Sequence, residues 1–185
     1  MNLTSPTPLS FKSARLLIRR YRKDDEDFLY NAARESIREV FPFLPWCHPD
    51  YDREDTVGWL DMVESNWRQG EAYNFAIFSE DGSTFHGGCG LNKIDEHPVA
   101  NLGYWIRTSS TGQGLATEAT IALAAFGLAE LGLQRIEIIM STENIASRKV
   151  AIGAGAVEEG ILRQRLLLHG RPHDAYVYSL VKDKR

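Results

Sequence analysis

One junction constrains this chain more than any other. It is Gly103-Tyr-Trp-Ile-Arg-Thr-Ser-Ser-Thr-Gly-Gln-Gly-Leu-Ala-Thr-Glu-Ala119, where a β-type run meets a glycine turn and the turn opens an apolar helix. Gly112 and Gly114 carry no β-carbon, so successive backbone N–H groups can converge there. The helix beginning near Leu115 adds unpaired N–H donors and the positive end of its dipole. An anion of pyrophosphate size suits such a cradle. A purely structural joint between strand and helix uses the same glycines, so the turn alone leaves both readings open. Thr117 stands where a dinucleotide fingerprint needs a third glycine, which argues against that fingerprint. No Gly-Lys-Ser or Gly-Lys-Thr follows, which excludes a Walker-type site.

Around the junction the periodicities predict one α/β domain over residues 11–185, with residues 1–10 as a loose arm. Its mixed, mostly antiparallel twisted sheet would have about six to seven strands, flanked by about four helices. A strand over 13–21 leads into a helix over 25–40 that Phe41-Pro42 ends, and residues 41–49 are too proline-rich to be regular. Val57, Leu60, Val63 and Trp67 recur at helical spacing over 52–68, closed by Gly70, with Trp59 and Trp67 expected in the core. A three-strand meander over 73–78, 85–94 and 100–107 turns first at Asp81-Gly82. Leu115, Ala119, Ala122, Phe126 and Ala129 mark a helix that ends near Gly132, followed by a strand over 134–140. Asn144 is a good N-cap for a short helix stopped at Gly155, and the chain closes with a hairpin of 156–168 and 173–181.

Composition narrows the function. With 21 Lys plus Arg against 25 Asp plus Glu, the net charge of −4 argues against direct nucleic-acid binding, which needs clustered cations. Cys47 and Cys89 are too few for a disulfide framework and read as small buried hydrophobes of a protein in a reducing cytoplasm. No secretory signal is expected in the first ten residues. The apolar stretch from Leu115 to Leu133 contains Thr117, Glu118, Thr120 and Glu130, which argues against a membrane span. The histidines show no pair at ligand spacing, so no metal is expected.

Four stretches, in this order, resemble the GNAT superfamily of acetyl-CoA-dependent N-acetyltransferases in its RimJ/RimL-like branch. They are Arg15-Leu-Leu-Ile-Arg19, Gly103-Tyr-Trp-Ile106, Thr111-Gly-Gln-Gly-Leu-Ala-Thr-Glu-Ala119, and Asn144-Ile-Ala-Ser-Arg148 followed by Gly155. The resemblance spans most of the chain and implies a GNAT-type fold with acetyl-CoA as co-substrate. It implies that Ile106, Arg107 and Thr108 pair with the pantetheine arm. Thr111, Gly112, Gln113, Gly114, Leu115, Ala116 and Thr117 would cradle the pyrophosphate. The family signature of Gln or Arg, two free positions, Gly, one free position, then Gly or Ala falls on Thr111, Gly114 and Ala116. Thr111 departs from it, so weaker or differently shaped binding is expected at that corner. Asn144 would bond the pantetheine, Ser147 would stabilise or protonate the departing CoA thiolate, and Arg148 would approach the CoA phosphates. On local sequence alone, Asn144 and Ser147 read as an N-cap and a solvated serine on one helix face.

The acceptor that the resemblance implies is a primary amine, first of all the N-terminal α-amino group of a protein or peptide such as a ribosomal protein. A small-molecule amine (antibiotic, polyamine or amino acid) and a non-catalytic CoA-binding module are the alternatives. No residue stands out as a base. Positions where some relatives carry a carboxylate hold Leu166 and Asn101, which leaves Tyr104, His173 and a water held by Asn101, each with a structural role as its competing reading. Phe41, Phe43 and Trp46 are expected to wall the acceptor pocket, with Tyr176 approaching from the last strand. Glu118 is expected to serve the helix dipole. A homodimer is expected from the resemblance and the aromatic loop.

Overall fold

The alternation of apolar residues along the strands builds one sheet with two buried faces. In the computed structural model, which describes residues 10–94 and 97–182, the elements are β1 (Ser10–Lys12), β2 (Leu16–Arg20), α1 (Glu26–Val40), α2 (Arg53–Gln69), β3 (Ala72–Ser79), β4 (Phe85–Lys93) and β5 (Val99–Ile106). They continue with α3 (Leu115–Ala129), β6 (Arg135–Ser141), α4 (Ile145–Gly153), β7 (Val157–Leu168) and β8 (Arg171–Val181). The strand order is β1-β2-β3-β4-β5-β6-β8-β7, antiparallel throughout except for β5 against β6. The eighth strand beyond the expected six to seven is the short β1. It is held because Phe11 stacks on Phe126 at 4.9 Å and meets Phe75 edge-on at 5.2 Å. The expected arm lies outside the described residues apart from Ser10, which begins β1.

On β3, Phe75 and Ile77 point to the core under α3, with Leu102, Leu123 and Ile136, while Ala76 and Phe78 point to the core under α1 and α2, with Leu29, Val63 and Trp105. Gly127 lets α3 close on the sheet: a β-carbon there would come within 2.8 Å of Leu91 Cδ1. Asp52 and Asp55 exchange side-chain and backbone hydrogen bonds at 3.0 Å to start α2, and Gly70, at φ +66°, stops it. The inner face of α2 is Thr56, Leu60 and Val63. Val57 is instead exposed, because the helix presents Thr56 to the Tyr51 hydroxyl at 3.0 Å. Trp67 packs edge-on against Tyr73 and Phe75, whereas Trp59 is only half-buried. Cys47 and Cys89 are both buried and free.

The closing hairpin outruns the sheet. β6 pairs with β8 only from Ala175 to Val181, so the outer part of β7 and β8 forms a two-stranded ribbon. Its tip reaches back to the end of α1, where His169 Nε2 lies 2.9 Å from the Phe41 carbonyl and the two rings are 4.3 Å apart.

Candidate active site

The parallel pair β5–β6 lasts for three residues, Val99 to Asn101 against Arg135 to Glu137. Beyond Asn101, β5 runs on to Ile106 with β4 alone beside it. Its free side offers alternating N–H and C=O groups to an amide-bearing chain, as any sheet edge does.

At the end of that edge the chain is tied to α1. The Thr108 N–H donates to Ser36 Oγ (3.0 Å), the Ser109 N–H to Glu35 Oε1 (2.7 Å), and the Thr108 hydroxyl to Glu39 Oε2 (2.9 Å). The Arg107 guanidinium pairs with Glu35, and its backbone N–H bonds the His86 carbonyl at 2.8 Å. The guanidinium and the Ser109 N–H together outweigh burial and hold the Glu35 carboxyl down at about 2. Of the three residues expected to meet pantetheine, Arg107 and Thr108 thus spend their N–H groups inside the protein. Only Ile106 lies within the strand that borders the gap.

The glycine turn follows. Gly112 and Gly114 have φ of +74° and +75°, the left-handed region that glycine alone enters without strain. The first N–H of α3 to find a backbone acceptor is that of Glu118, on Gly114 O at 3.1 Å, so the amides before it are open to an anion. Thr111 turns its hydroxyl back onto Thr108 O (2.8 Å). Glu118, expected to serve the dipole, is a tether as well. It accepts from Arg15 Nε (2.7 Å), the Arg15 N–H (2.8 Å) and the Ser13 hydroxyl (2.6 Å), and Arg15 Nη1 donates on to Gln113 O at 3.0 Å. Burial would raise the Glu118 carboxyl, but these donors outweigh it and the net shift is downward.

α4 brings its first turn to β5. Asn144 Oδ1 caps the helix by accepting the Ser147 N–H at 3.0 Å, which leaves its Nδ2 donors outside the cap. Ser147 Oγ lies 2.7 Å from the Tyr104 hydroxyl, which is also 3.1 Å from Ser147 O. Burial pushes the Tyr104 phenol up to about 12 against the opposing Ser147 bond, so it carries its proton at neutral pH. Arg148 is committed to the closing hairpin: Nε to the Tyr178 hydroxyl (3.0 Å), Nη2 to Glu158 (3.1 Å), and its guanidinium 4.5 Å over the Tyr176 ring. Tyr176 is therefore occupied by that cation. Asn101 lies opposite Asn92 and beside Glu137, and its Oδ1 is buried without a partner among the described residues.

On the α1–α2 side of β5, next to Tyr104, is a cavity of about 250 Å³. Gly88, Gly90 and Gly103 leave room at its floor, Trp46 and Trp59 line it, and among the described residues no Asp, Glu, Lys, Arg or His lines it. Of the loop aromatics only Trp46 reaches it, packed edge-on against Trp105 at 5.3 Å. Phe41 meets His169 instead, and Phe43 is half-buried outside the cavity lining. Sequence reasoning missed Tyr21, Asn74 and Trp105 as lining residues. The available signal was Gly87-Gly-Cys-Gly90, because glycines inside a strand mark space or close approach.

A free strand edge beside a glycine turn with open amides agrees with the class found by comparison, the acetyl-CoA-dependent acyltransferases. Residues 15–157 match the acetyltransferase (GNAT) domain, and the chain belongs to that family, in its RimJ/RimL-like branch. It is an acetyl-CoA-dependent N-acetyltransferase. The chain is 31% identical over 169 residues to the uncharacterized N-acetyltransferase p20 of Bacillus licheniformis, covering 91% of this chain and 93% of that protein. It is 31% identical over 171 residues to the ribosomal-protein-serine acetyltransferase of Escherichia coli (strain K12), covering 85% and 93%. Among solved structures, Mycobacterium smegmatis RimJ in complex with CoA-disulfide superimposes with a TM-score of 0.79 at 25% identity, covering 90% of this chain and 81% of that one. Among the described residues no helix is long and apolar enough to cross a membrane, and no group of three or more His, Cys, Asp or Glu is placed to hold a metal.

Proposed function

We propose that the protein acetylates the N-terminal α-amino group of a protein or peptide, a ribosomal protein being the first candidate. The observation that carries this reading is that the described residues lining the cavity beside Tyr104 are all uncharged. An amine must be neutral to attack, and at pH 7 removing its proton costs roughly 1.4 kcal/mol for an α-amino group but roughly 4.6 kcal/mol for a lysine. A pocket without carboxylates adds no ammonium-stabilising charge and gives polycations such as aminoglycosides or polyamines nothing to pair with. Likeness to the E. coli ribosomal-protein-serine acetyltransferase supports the same acceptor class.

Acetyl-CoA supplies the thioester. The edge of β5 from Leu102 to Ile106 holds its amide-bearing arm, and a strand N–H polarises the carbonyl. The turn over residues 111–117, with the first turn of α3, takes the phosphates. The acceptor nitrogen bonds to the carbonyl carbon, the C–S bond breaks, and the thiolate takes a proton from the Ser147–Tyr104 hydroxyl pair. The proton released by the nitrogen leaves through water and restores that pair. Asn101, with its unpartnered Oδ1, is proposed to hold such a water. A cytoplasmic location and a homodimer belong to the same reading, and light scattering on the purified protein decides the second.

The test is acetyl-CoA-dependent thiol release across peptides with free N-termini, N-blocked lysine peptides, polyamines and aminoglycosides. Selective turnover of the free N-termini is expected. Preference for a polyamine or aminoglycoside would replace this reading with the small-molecule one.

A further inference from the structure

Arg19-Arg20-Tyr21-Arg22-Lys23 places four cations in five residues of a chain whose net charge is −4. The fold gathers all five around a second cavity, of about 430 Å³, between the end of β2 and α2. Of these cations, Arg19 is neutralised by the buried Asp25 at 2.5 Å, and Lys23 meets Asp61 at 3.3 Å. Glu64, the one acid in the lining among the described residues, is taken by Arg68. The acids that follow in the chain are no remedy: Asp24 is exposed outside the lining, and Glu26 and Asp27 are spent on Arg53. Arg20 and Arg22 are left with no ion pair among the described residues. The half-buried Arg20 is nevertheless fixed in place, its guanidinium 5.0 Å over the Trp67 ring. Like charges held together cost energy, and a recess lined by one sign of charge concentrates the opposite ion.

We propose that this cavity binds a small organic phosphate monoester through the Arg20 and Arg22 guanidiniums. Two uncompensated guanidiniums match the double charge of such a group, and their planar forks can meet several phosphate oxygens at once. Leu17, Leu60 and Val63 form an apolar side of the same cavity, so the organic body of the ester has a surface to lie on. The site shares no residue with the glycine turn over 111–117, and among the described residues it shares only Tyr21 with the cavity beside Tyr104. It is therefore separate from the places given above to the phosphates of CoA and to the amine, and it does not depend on either.

Calorimetric titration of inorganic phosphate and of phenyl phosphate into protein saturated with CoA tests it, because the glycine turn is then occupied. Both probes are expected to saturate a single site with Kd below about 1 mM in about 0.15 M chloride, where a diffuse basic surface is screened. Phenyl phosphate should bind about threefold or more tighter than phosphate. Arg22→Gln, at an exposed position, should melt as wild type does and weaken both probes about threefold or more. Combined with Arg20→Gln, it should weaken them about tenfold or more. Arg163→Gln with Arg165→Gln removes the same charge from the exposed outer hairpin and should leave both affinities within about twofold. No saturable binding in wild type, equal affinity in wild type and the Arg20 and Arg22 variants, or an equal loss in the hairpin pair overturns the proposal. Equal affinity for the two probes overturns the ester and leaves free phosphate as the ligand.

Discussion

The guanidinium of Arg15 and the carboxylate of Glu118 meet at 2.6 and 2.7 Å across 103 residues of chain, and the same guanidinium holds the Gln113 carbonyl at 3.0 Å. A half-exposed ion pair adds little stability by itself. Here its effect is geometric, because it fastens the glycine turn to β2 and so fixes where the open amides of α3 point. Arg15→Ala is expected to weaken acetyl-CoA binding about five- to tenfold by calorimetry, with kcat within about twofold. Equal affinity in both proteins would show that the turn keeps its shape unaided.

The hydroxyls of Tyr104 and Ser147, 2.7 Å apart, should act as one unit. Ser147→Ala and Tyr104→Phe are each expected to lower kcat about ten- to a hundredfold while acetyl-CoA affinity stays within about threefold, and the double variant should fall short of the product. Steady-state kinetics beside calorimetry reads this. A multiplicative double variant would separate the two roles.

Asn144 serves two demands with different atoms. Its Oδ1 caps α4 through the Ser147 N–H, and its Nδ2 is the group expected to reach the pantetheine. Asn144→Ala should lose about 1 kcal/mol of stability and raise the acetyl-CoA KM. Asn144→Asp keeps the cap and should recover stability with KM still raised. Recovery of both would restrict Asn144 to the cap.

Glu35 gives a pH signature. Its carboxyl is held near about 2 against a usual 4.5, so the stability it contributes is complete above 4.5 and is lost as the pH falls toward 2. The urea stability of wild type should exceed that of Glu35→Gln at neutral pH, and the difference should close across that acid interval. A gap that persists at the acid end would mean that the carboxylate charge is not its source.

Much of the fold was legible because it depends on periodicity and on residues that act locally. Gly112 and Gly114 announce the glycine turn, Asn144 announces a cap, Gly70 announces the end of a helix, and residues 73–78 announce a strand. What stayed hidden depends on long-range encounters. Nothing near Arg148 in the sequence says that Glu158 and Tyr178 will claim its guanidinium, or that His169 will claim Phe41. Tyr21 read as the end of a strand because its place in the cavity lining depends on a glycine 67 positions away. The partial pairing of β5 and β6 is equally unwritten, since each reads alone as an ordinary strand.

β5 carries Tyr104 and Trp105 side by side, and strand geometry sends neighbours to opposite faces. Tyr104 packs toward the core under α3 and meets α4, while Trp105 belongs to the core under α1 and α2 and walls the cavity. Shifting the strand by one residue would reverse both at once. The hydroxyl pair at α4 and the tryptophan wall of the cavity are therefore joined through a single peptide bond. A one-residue insertion in this strand would therefore disturb the hydroxyl pair and the cavity wall together, however far apart their side chains point.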